Sequence, residues 1–290
     1  IPPGARVFFV GDVDQLPSVG PGNVLMDMIA SGLIPVAWLK TIFRQASESG
    51  IVTNAHRINQ GLFPQFNATD FFLIERKDPV KALDTVLEVV TTRIPRKFGF
   101  DPVRDIQVLS PMHRGDAGVA KINESLQQAL NPHGRPLPKK AFRLGDKVMQ
   151  LRNNYELDVY NGDVGVITFV DEETSELHVQ FDDERVVLYT FDDLDDLTLA
   201  YAVTVHKSQG SEYPAIVMVL LPQHYLLLQR NLLYTGITRG KKLVVVIGDP
   251  KAVSMAIHNN RVTRRNTRLA ERLRNAERGT RNAESGPHGM

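Results

Sequence analysis

Residues 201–221 read YAVTVHKSQGSEYPAIVMVLL, and this stretch decides the fold class. Two apolar runs, 201–205 and 215–221, have the length and the valine and leucine content of buried strands. The residues between them offer hydroxyl, imidazole, ammonium and amide groups, which suit a nucleic-acid backbone or a nucleotide. Ligands of parallel α/β sheets gather where strands end. The stretch therefore predicts an α/β domain with a polar loop at a strand end; the alternative for the loop is a plain surface turn with an exposed histidine.

The same pattern continues on both sides of this stretch. Further buried strands are predicted at 6–10, 105–110 and 243–248. Helices are predicted at 22–32, 46–61 and 117–130. Residues 131–140 contain three prolines and a glycine, which predicts a linker.

The pattern changes between residues 142 and 197. Short strands are predicted here at 147–152, 164–170, 177–181 and 185–191. They are separated by turn residues and by no helix, which indicates a small barrel of the SH3 kind inserted into the α/β domain. The sequence signal for a fifth strand is too weak to give its position.

Composition excludes several classes of protein. The 290 residues include no cysteine, which rules out disulfides, thiolate zinc sites and iron–sulfur clusters and fits a cytoplasmic location. No apolar run approaches the roughly 18 residues that a membrane span requires, so no membrane contact is predicted. The eight histidines lack metal-ligand spacing, and no metal site is predicted.

Charge is distributed unevenly along the chain. Residues 171–196 hold eleven acidic side chains and one arginine, whereas residues 261–290 hold eight arginines and three glutamates. Outside the acidic segment, a basic surface is available to a polyanion. The arginine-rich segment has only Leu269 and Leu273 as a helically spaced apolar pair, so it is predicted to be a flexible tail.

Three further segments carry groups that could act on a phosphate. In GDVDQLP (11–17), two carboxylates and an amide follow a predicted strand; the alternative is a strand-to-turn junction capped by Asp12. An arginine in FRQ (43–45) could reach a phosphate, and Arg239, which ends LYTGITR (233–239), could neutralise a transferring phosphoryl group. For both arginines the alternative is a solvated surface position. The phosphate-binding pattern G-x-x-x-x-G-K-[ST] is absent.

Seven segments in a fixed order resemble a superfamily 1 DNA helicase of the RecD type, the family of the exodeoxyribonuclease V alpha subunit and its stand-alone relatives. They are GDVDQLPSVGPG (11–22), FRQ (43–45), LSPMHRGDAG (109–118), GDKVMQLRNNY (145–155), NGDVG (161–165), TVHKSQGSEY (204–213) and LLYTGITRGKK (232–242). The resemblance extends to about residue 255. It implies a RecA-like motor domain, with the parallel sheet of P-loop NTPases, and an inserted SH3-like barrel.

The resemblance also implies a role for individual residues. Gln15 matches the glutamine that senses the γ-phosphate of ATP, and Arg44 matches an arginine that touches it. Gly210 and Glu212 match positions near the nucleotide, and Arg239 matches the arginine finger. The residues implied to face single-stranded DNA are Ser110, His113, Arg114, Thr204, His206 and Lys207. The acidity of 171–196 argues against a DNA contact by that half of the barrel.

The departures from the family pattern are equally informative. Members need a Walker A lysine and a Walker B Asp-Glu pair before the segment around Gln15, and neither is found. The chain is therefore expected to be the C-terminal part of a larger motor, inactive alone, with ATP and Mg²⁺ binding tightly only in the intact protein. The expected parts are the end of a first motor domain (1–45), a second motor domain (46–141 and 198–260), the barrel (142–197) and the tail (261–290).

The resemblance implies an ATP hydrolase that moves 5′ to 3′ on single-stranded DNA in recombination or repair. Its implied partners are single-stranded DNA, an N-terminal motor domain and the subunits of a nuclease–helicase complex. One alternative is an RNA-directed motor of the same superfamily, although the HKSQG segment and the barrel favour DNA. The other is a non-catalytic module that binds DNA or a protein partner.

Overall fold

The computed structural model describes residues 2, 4–17, 20, 22–39, 49–66, 69–138, 140–181, 185–260 and 267–284, the last eight by their backbone alone. The chain forms two compact units. The first comprises Ile1–Arg44 and Arg261–Met290, and the second comprises Gln45–Asn260. No helix in the described part of the chain is long and apolar enough to cross a membrane.

The helices and strands are numbered in chain order. The helices are α1 (Val24–Ser31), α2 (Gly50–Asn59), α3 (Pro79–Glu88), α4 (Ile94–Phe98), α5 (Val119–Leu130), α6 (Arg230–Ile237), α7 (Pro250–His258) and α8 (Leu269–Glu284). The strands are β1 (Phe71–Glu75), β2 (Ile106–Ser110), β3 (Lys147–Gln150), β4 (Val164–Asp171), β5 (Glu176–Phe181), β6 (Val186–Thr190), β7 (Leu197–Leu199), β8 (Ala202–Thr204), β9 (Tyr213–Leu220) and β10 (Gly240–Gly248).

The second unit is built on a parallel sheet with the strand order β1-β10-β9-β2-β8. Every residue of β2 is buried, as are all but one of β9, because apolar side chains cover both faces of the sheet. Helices α3 and α5 contribute Val86 and Ile122 to this core. The predicted α/β class is confirmed.

Two elements near residue 75 were not predicted. Strand β1 pairs with β10 at the sheet edge, and α3 follows it. The start of α3 carries a local signal: Asp78 accepts a hydrogen bond from the Lys81 amide, and Pro79 occupies the first turn. The edge strand lacks such a signal because its middle residues are only half-buried.

The inserted segment forms an antiparallel sheet with the order β6-β5-β4-β3-β7. Its core contains Ile167, Leu177 and Tyr189, and β6 alternates exposed and buried residues as a half-buried strand should. The fifth strand, β7, is only three residues long, which explains why periodicity did not locate it. Leu137 also packs in this core, so part of the predicted linker belongs to the barrel.

A buried carboxylate joins the barrel to the parallel sheet. Asp146, fully buried just before β3, accepts hydrogen bonds from Gln127 and Asn131 of the α5 region and from the Tyr201 hydroxyl before β8, at 2.5, 2.7 and 2.9 Å. The Arg143 amide donates a fourth bond at 2.7 Å. This one side chain therefore joins three separate segments at the junction between the barrel and the sheet, where the Lys147 ammonium also donates to the Ile106 carbonyl.

Two predictions for the first unit were wrong. Residues 6–10 form no strand, and Phe8 is 83% exposed, because no other strand among the described residues of this unit pairs with the run. The predicted flexible tail contains α8, which packs against α1; Arg274 donates to the carbonyls of Ala30 and Ser31. Tertiary contact stabilises a helix that its own apolar residues could not.

Candidate functional site

Two neighbouring strands of the parallel sheet end side by side. Ser110, the last residue of β2, is paired with Thr204, the last residue of β8. Each strand then enters a polar loop, which we term the β2–α5 loop (111–118) and the β8–β9 loop (205–212). The sheet thus brings together two segments that lie almost a hundred residues apart in the sequence.

The β2–α5 loop is held by its own backbone. The Ala120 amide donates to the His113 carbonyl at 3.0 Å, and the Gly118 amide donates to the Gly115 carbonyl at 2.9 Å. A Cβ atom at Gly118 would lie 2.4 Å from the Arg114 carbonyl oxygen, so only glycine fits there. The side chains of His113 and Arg114 remain exposed, as a surface that contacts nucleic acid requires.

Ser110 does not belong to that exposed surface. The residue is fully buried, and its hydroxyl donates to the Ala117 carbonyl at 2.9 Å. The implied direct contact with DNA is corrected to a role in shaping the β2–α5 loop. Burial of this position could have been foreseen, because Ser110 ends a run of apolar residues.

The β8–β9 loop begins with a tight turn. The amides of Lys207 and Ser208 donate to the Thr204 carbonyl at 2.9 and 3.2 Å, and the buried Ser208 hydroxyl donates to the Val205 carbonyl. This turn leaves His206 exposed. Partial desolvation lowers the pKa of His206 below its ordinary value, so the imidazole is mainly neutral at pH 7.

Lys207 points to the barrel. Its ammonium donates to Oδ1 of Asn161, in the turn before β4, at 2.6 Å. The resemblance implied that Lys207 contacts DNA, whereas in the structure its ammonium contacts Asn161 of the barrel. Sequence reasoning missed Asn161, because its partner lies 46 positions away and no local pattern connects them.

Arg239 lies at the opposite end of the sheet. It is 6% exposed, and its guanidinium donates to the carbonyls of Thr235 and Ser211 at 3.2 and 3.0 Å and to the Thr238 hydroxyl at 3.4 Å. All three acceptors are neutral. Among the described residues no carboxylate forms an ion pair with Arg239, so its positive charge is not neutralised within that part of the chain.

The other residues implied to lie near the nucleotide gather at the same end. The Tyr213 amide donates to the Arg239 carbonyl at 2.8 Å, which places Glu212 beside the start of β10. Glu212 forms an exposed ion pair with Lys241 at 3.0 Å, and Gly210 has a φ of 86°, a conformation that favours glycine. Gly210, Glu212 and Arg239 are thus brought together.

Gln15 and Arg44 belong to the first unit. The Gln15 amide donates to Asp12 at 3.1 Å, and the Asp14 backbone amide donates to the same carboxylate at 3.0 Å. This is the capped turn that was the alternative for this segment. Arg44 lies outside the described residues. Within the ranges that the structure describes, no group of three or more histidine, aspartate or glutamate side chains is placed to hold a metal ion.

Three family models match the chain. Residues 122–181 match the SH3 domain of ATP-dependent RecD-like DNA helicases, residues 199–247 match the UvrD-like helicase C-terminal domain, and residues 1–82 match an AAA domain. The first match overlaps the antiparallel barrel, and the second covers the β8–β9 loop and Arg239.

Curated proteins are similar over most of the chain, and two of them are described here. An ATP-dependent RecD2 DNA helicase from Deinococcus radiodurans is 36% identical over 94% of this chain and 37% of its own length. A RecBCD enzyme subunit RecD from Mycolicibacterium smegmatis is 31% identical over 94% of this chain and 50% of its own length. The chain thus spans half or less of either relative.

The fold is also similar to that of a solved helicase structure. The Pif1 helicase from Bacteroides, in complex with ADP-AlF3 and single-stranded DNA, superimposes with a TM-score of 0.50 at 20% sequence identity, over 95% of this chain and 66% of that one. With the family models, this confirms the predicted fold class, a RecA-like motor domain with an inserted SH3-like barrel. The family models and the RecD2 and RecD relatives confirm the predicted family resemblance.

Proposed function

Since the chain belongs to the RecD-type family of superfamily 1 helicases, we propose that the protein carrying it is an ATP-dependent DNA helicase that moves 5′ to 3′ along single-stranded DNA in recombination or repair. The chain supplies the second motor domain and the barrel. The cysteine-free sequence supports a cytoplasmic location. An N-terminal motor domain and a nuclease–helicase complex remain the proposed protein partners.

The paired strand ends are the observation that carries this proposal. Because Ser110 and Thr204 are direct partners in the sheet, the exposed His113 and Arg114 emerge beside the exposed His206. A guanidinium binds phosphate through two parallel donors, and a neutral imidazole hydrogen-bonds or stacks on a base without needing an ion pair. The two loops can therefore bind both the backbone and the bases of a single strand.

Arg239 supports the proposed ATP hydrolysis. A guanidinium carries five N–H donors, and the three bonds to Thr235, Ser211 and Thr238 leave one N–H on each terminal nitrogen. Two remaining donors on a guanidinium whose charge is not neutralised suit a phosphoryl group in transfer. When bound, ATP with Mg²⁺ supplies the phosphoryl chemistry, and Arg239 stabilises the charge that develops on it.

The chain as printed is expected to show no ATP turnover above background, with or without DNA. The phosphate cradle G-x-x-x-x-G-K-[ST] is absent from its sequence, and a loop that binds the β-phosphate has no substitute among the groups described above. The measurement is phosphate release by the purified 290-residue chain. DNA-stimulated turnover by this chain that Arg239→Ala abolishes would contradict the proposal that a separate motor domain supplies the phosphate-binding loop.

The same chain is expected to bind single-stranded DNA weakly and in a salt-dependent manner. Each phosphate contact contributes roughly −0.7 to the slope of log affinity against log salt. Because His206 is mainly neutral, replacing His206 and Arg114 together by alanine should weaken binding while reducing the slope by about one such step, that of Arg114. Fluorescence anisotropy at four salt concentrations measures both quantities.

Arg93→Ala is the matched control for this binding experiment, because Arg93 is an exposed arginine that pairs with Glu88 at 2.8 Å and lies in neither loop. Unchanged binding by the His206 and Arg114 double variant would remove the proposed interface. Tighter binding to RNA than to DNA of the same sequence would favour the RNA-directed motor. If DNA binds to the full-length protein but does not change its ATP turnover, the result would favour the non-catalytic module.

A further inference from the structure

A turn of the barrel touches the proposed DNA surface. Lys207 of the β8–β9 loop donates to Asn161 at 2.6 Å, and Gly162 lies against the same loop, with its Cβ position 3.7 Å from the Lys207 carbonyl oxygen. Gly162 has a φ of 103°, which a larger residue adopts only with strain. The sequence at this turn therefore permits a close approach between two segments 46 positions apart.

Asn161 is fixed in place from the barrel side. The backbone amide of Asn161 donates to Oδ1 of Asn153 at 2.9 Å. The backbone amide of Gly162 donates to the carbonyl of Gln150, the last residue of β3, at 2.9 Å. The barrel itself is held to the parallel sheet by buried Asp146. Hydrogen bonds thus hold the barrel to the rest of the second unit at Asp146 and hold the Asn161 turn to the barrel, and the Lys207 ammonium bonds to that turn.

The barrel turn and the β8–β9 loop also enclose a cleft of about 390 Å³. Its walls come from both sides, with Asn161, Gly162 and Asp163 on the barrel and Gln209, Gly210 and Ser211 on the loop. The Ser211 carbonyl accepts the bond from Arg239. One loop therefore contacts the barrel at Lys207, the proposed DNA surface at His206 and the proposed nucleotide group at Ser211.

We propose that Asn161 is a positioning residue, which holds the β8–β9 loop in its DNA-binding conformation through Lys207, and that Lys207 makes no phosphate contact of its own. This inference rests on the proposed function. The side chain that resembles a DNA-contacting lysine is already bonded to the barrel, and its backbone amide closes the turn that presents His206. The barrel then acts on DNA binding indirectly, which suits its acidic composition over residues 171–196.

The test uses DNA-stimulated ATP turnover of the full-length protein. Asn161→Ala is expected to raise the DNA concentration for half-maximal stimulation by about threefold, because the lost hydrogen bond joins a charged group but is exposed, so water replaces part of it. Turnover at saturating DNA should stay within about twofold of the wild type, because bound DNA restores the loop conformation. Lys207→Met should have the same effect, and the double variant should be no worse than either single variant.

Rescue and salt dependence separate positioning from direct contact. Asn161→Asp keeps an acceptor for the ammonium and should restore near-wild-type DNA affinity. The salt slope should be unchanged in Lys207→Met, whereas a lysine bound to phosphate would reduce it by roughly 0.7. The control in the segment between β3 and β4 is Asn154→Ala, since the Asn154 side chain accepts from the nearby amides of Glu156 and Leu157 and the backbone bonds of Asn154 to Val159 survive the change. It should leave DNA affinity unchanged.

Two results would overturn the positioning role. One is a reduced salt slope in Lys207→Met together with wild-type affinity in Asn161→Ala, which would make Lys207 a phosphate ligand. The other is an equal loss of affinity in Asn161→Ala and Asn154→Ala, which would indicate a general weakening of the segment between β3 and β4. A wild-type protein that binds no single-stranded DNA would instead refute the proposed function, and the positioning role with it.

Discussion

Replacing Arg239 by alanine in the full-length protein is expected to lower ATP turnover by about 10³-fold or more, the range found for arginine fingers. Affinity for single-stranded DNA without nucleotide should stay nearly constant. The guanidinium acts on charge that develops only in the transition state, so its loss affects the chemical step more than binding. Arg239→Lys should recover little, because an ammonium cannot reproduce two parallel donors.

The contacts of Arg239 make a control essential. Its bonds to the Thr235 and Ser211 carbonyls also brace the end of α6 against the β8–β9 loop, so the alanine variant is expected to lose some stability. Arg230, at the start of the same helix, donates in a similar way to the carbonyls of Ile257 and Asn59 at 2.7 and 3.3 Å. Arg230→Ala therefore reproduces the structural loss without removing the proposed finger.

Turnover, DNA affinity and melting temperature should be measured on both variants. The finger assignment requires that Arg239→Ala loses far more turnover than Arg230→Ala for a similar change in melting temperature. If ATP turnover and DNA affinity fall in proportion to the melting temperature in both variants, Arg239 only stabilises the structure.

Replacing Asp146 by alanine is expected to have the largest effect on stability, a loss of about 3 kcal/mol or more in the free energy of unfolding. The substitution leaves the Gln127 and Asn131 amides, the Tyr201 hydroxyl and the Arg143 amide without their acceptor in a buried site. Hydrogen bonds to a charged group contribute roughly 1.5 to 3 kcal/mol each, and their losses in one network are not additive.

Urea denaturation of the wild type and the variant measures this loss. Asp101→Ala is the control, because Asp101 also accepts bonds from two backbone amides, of Val103 and Arg104, but in an exposed turn. It should lose only about 1 kcal/mol. Equal losses for the two variants would show that Asp146 does not hold the barrel junction together.

The sequence alone determined the fold class and the family. The run 215–221 is continuously apolar, as expected of a strand covered on both faces, and this local pattern is sufficient to predict its burial. The alternation in the barrel strands is equally local. The order of the seven segments carried the family, since each motif is contiguous in the chain.

Only the tertiary structure decided what individual side chains do. The apolar run 6–10 reads as a buried strand yet lies exposed, because burial depends on partners elsewhere in the chain. Ser110 points inward, and Lys207 reaches Asn161 in the barrel. Arg239 is bonded to Ser211, 28 positions earlier. A motif specifies which chemical groups are available. Hydrogen bonds form only between atoms that the folded chain brings within about 3 Å of each other, and the separation of two residues in the sequence does not determine that distance.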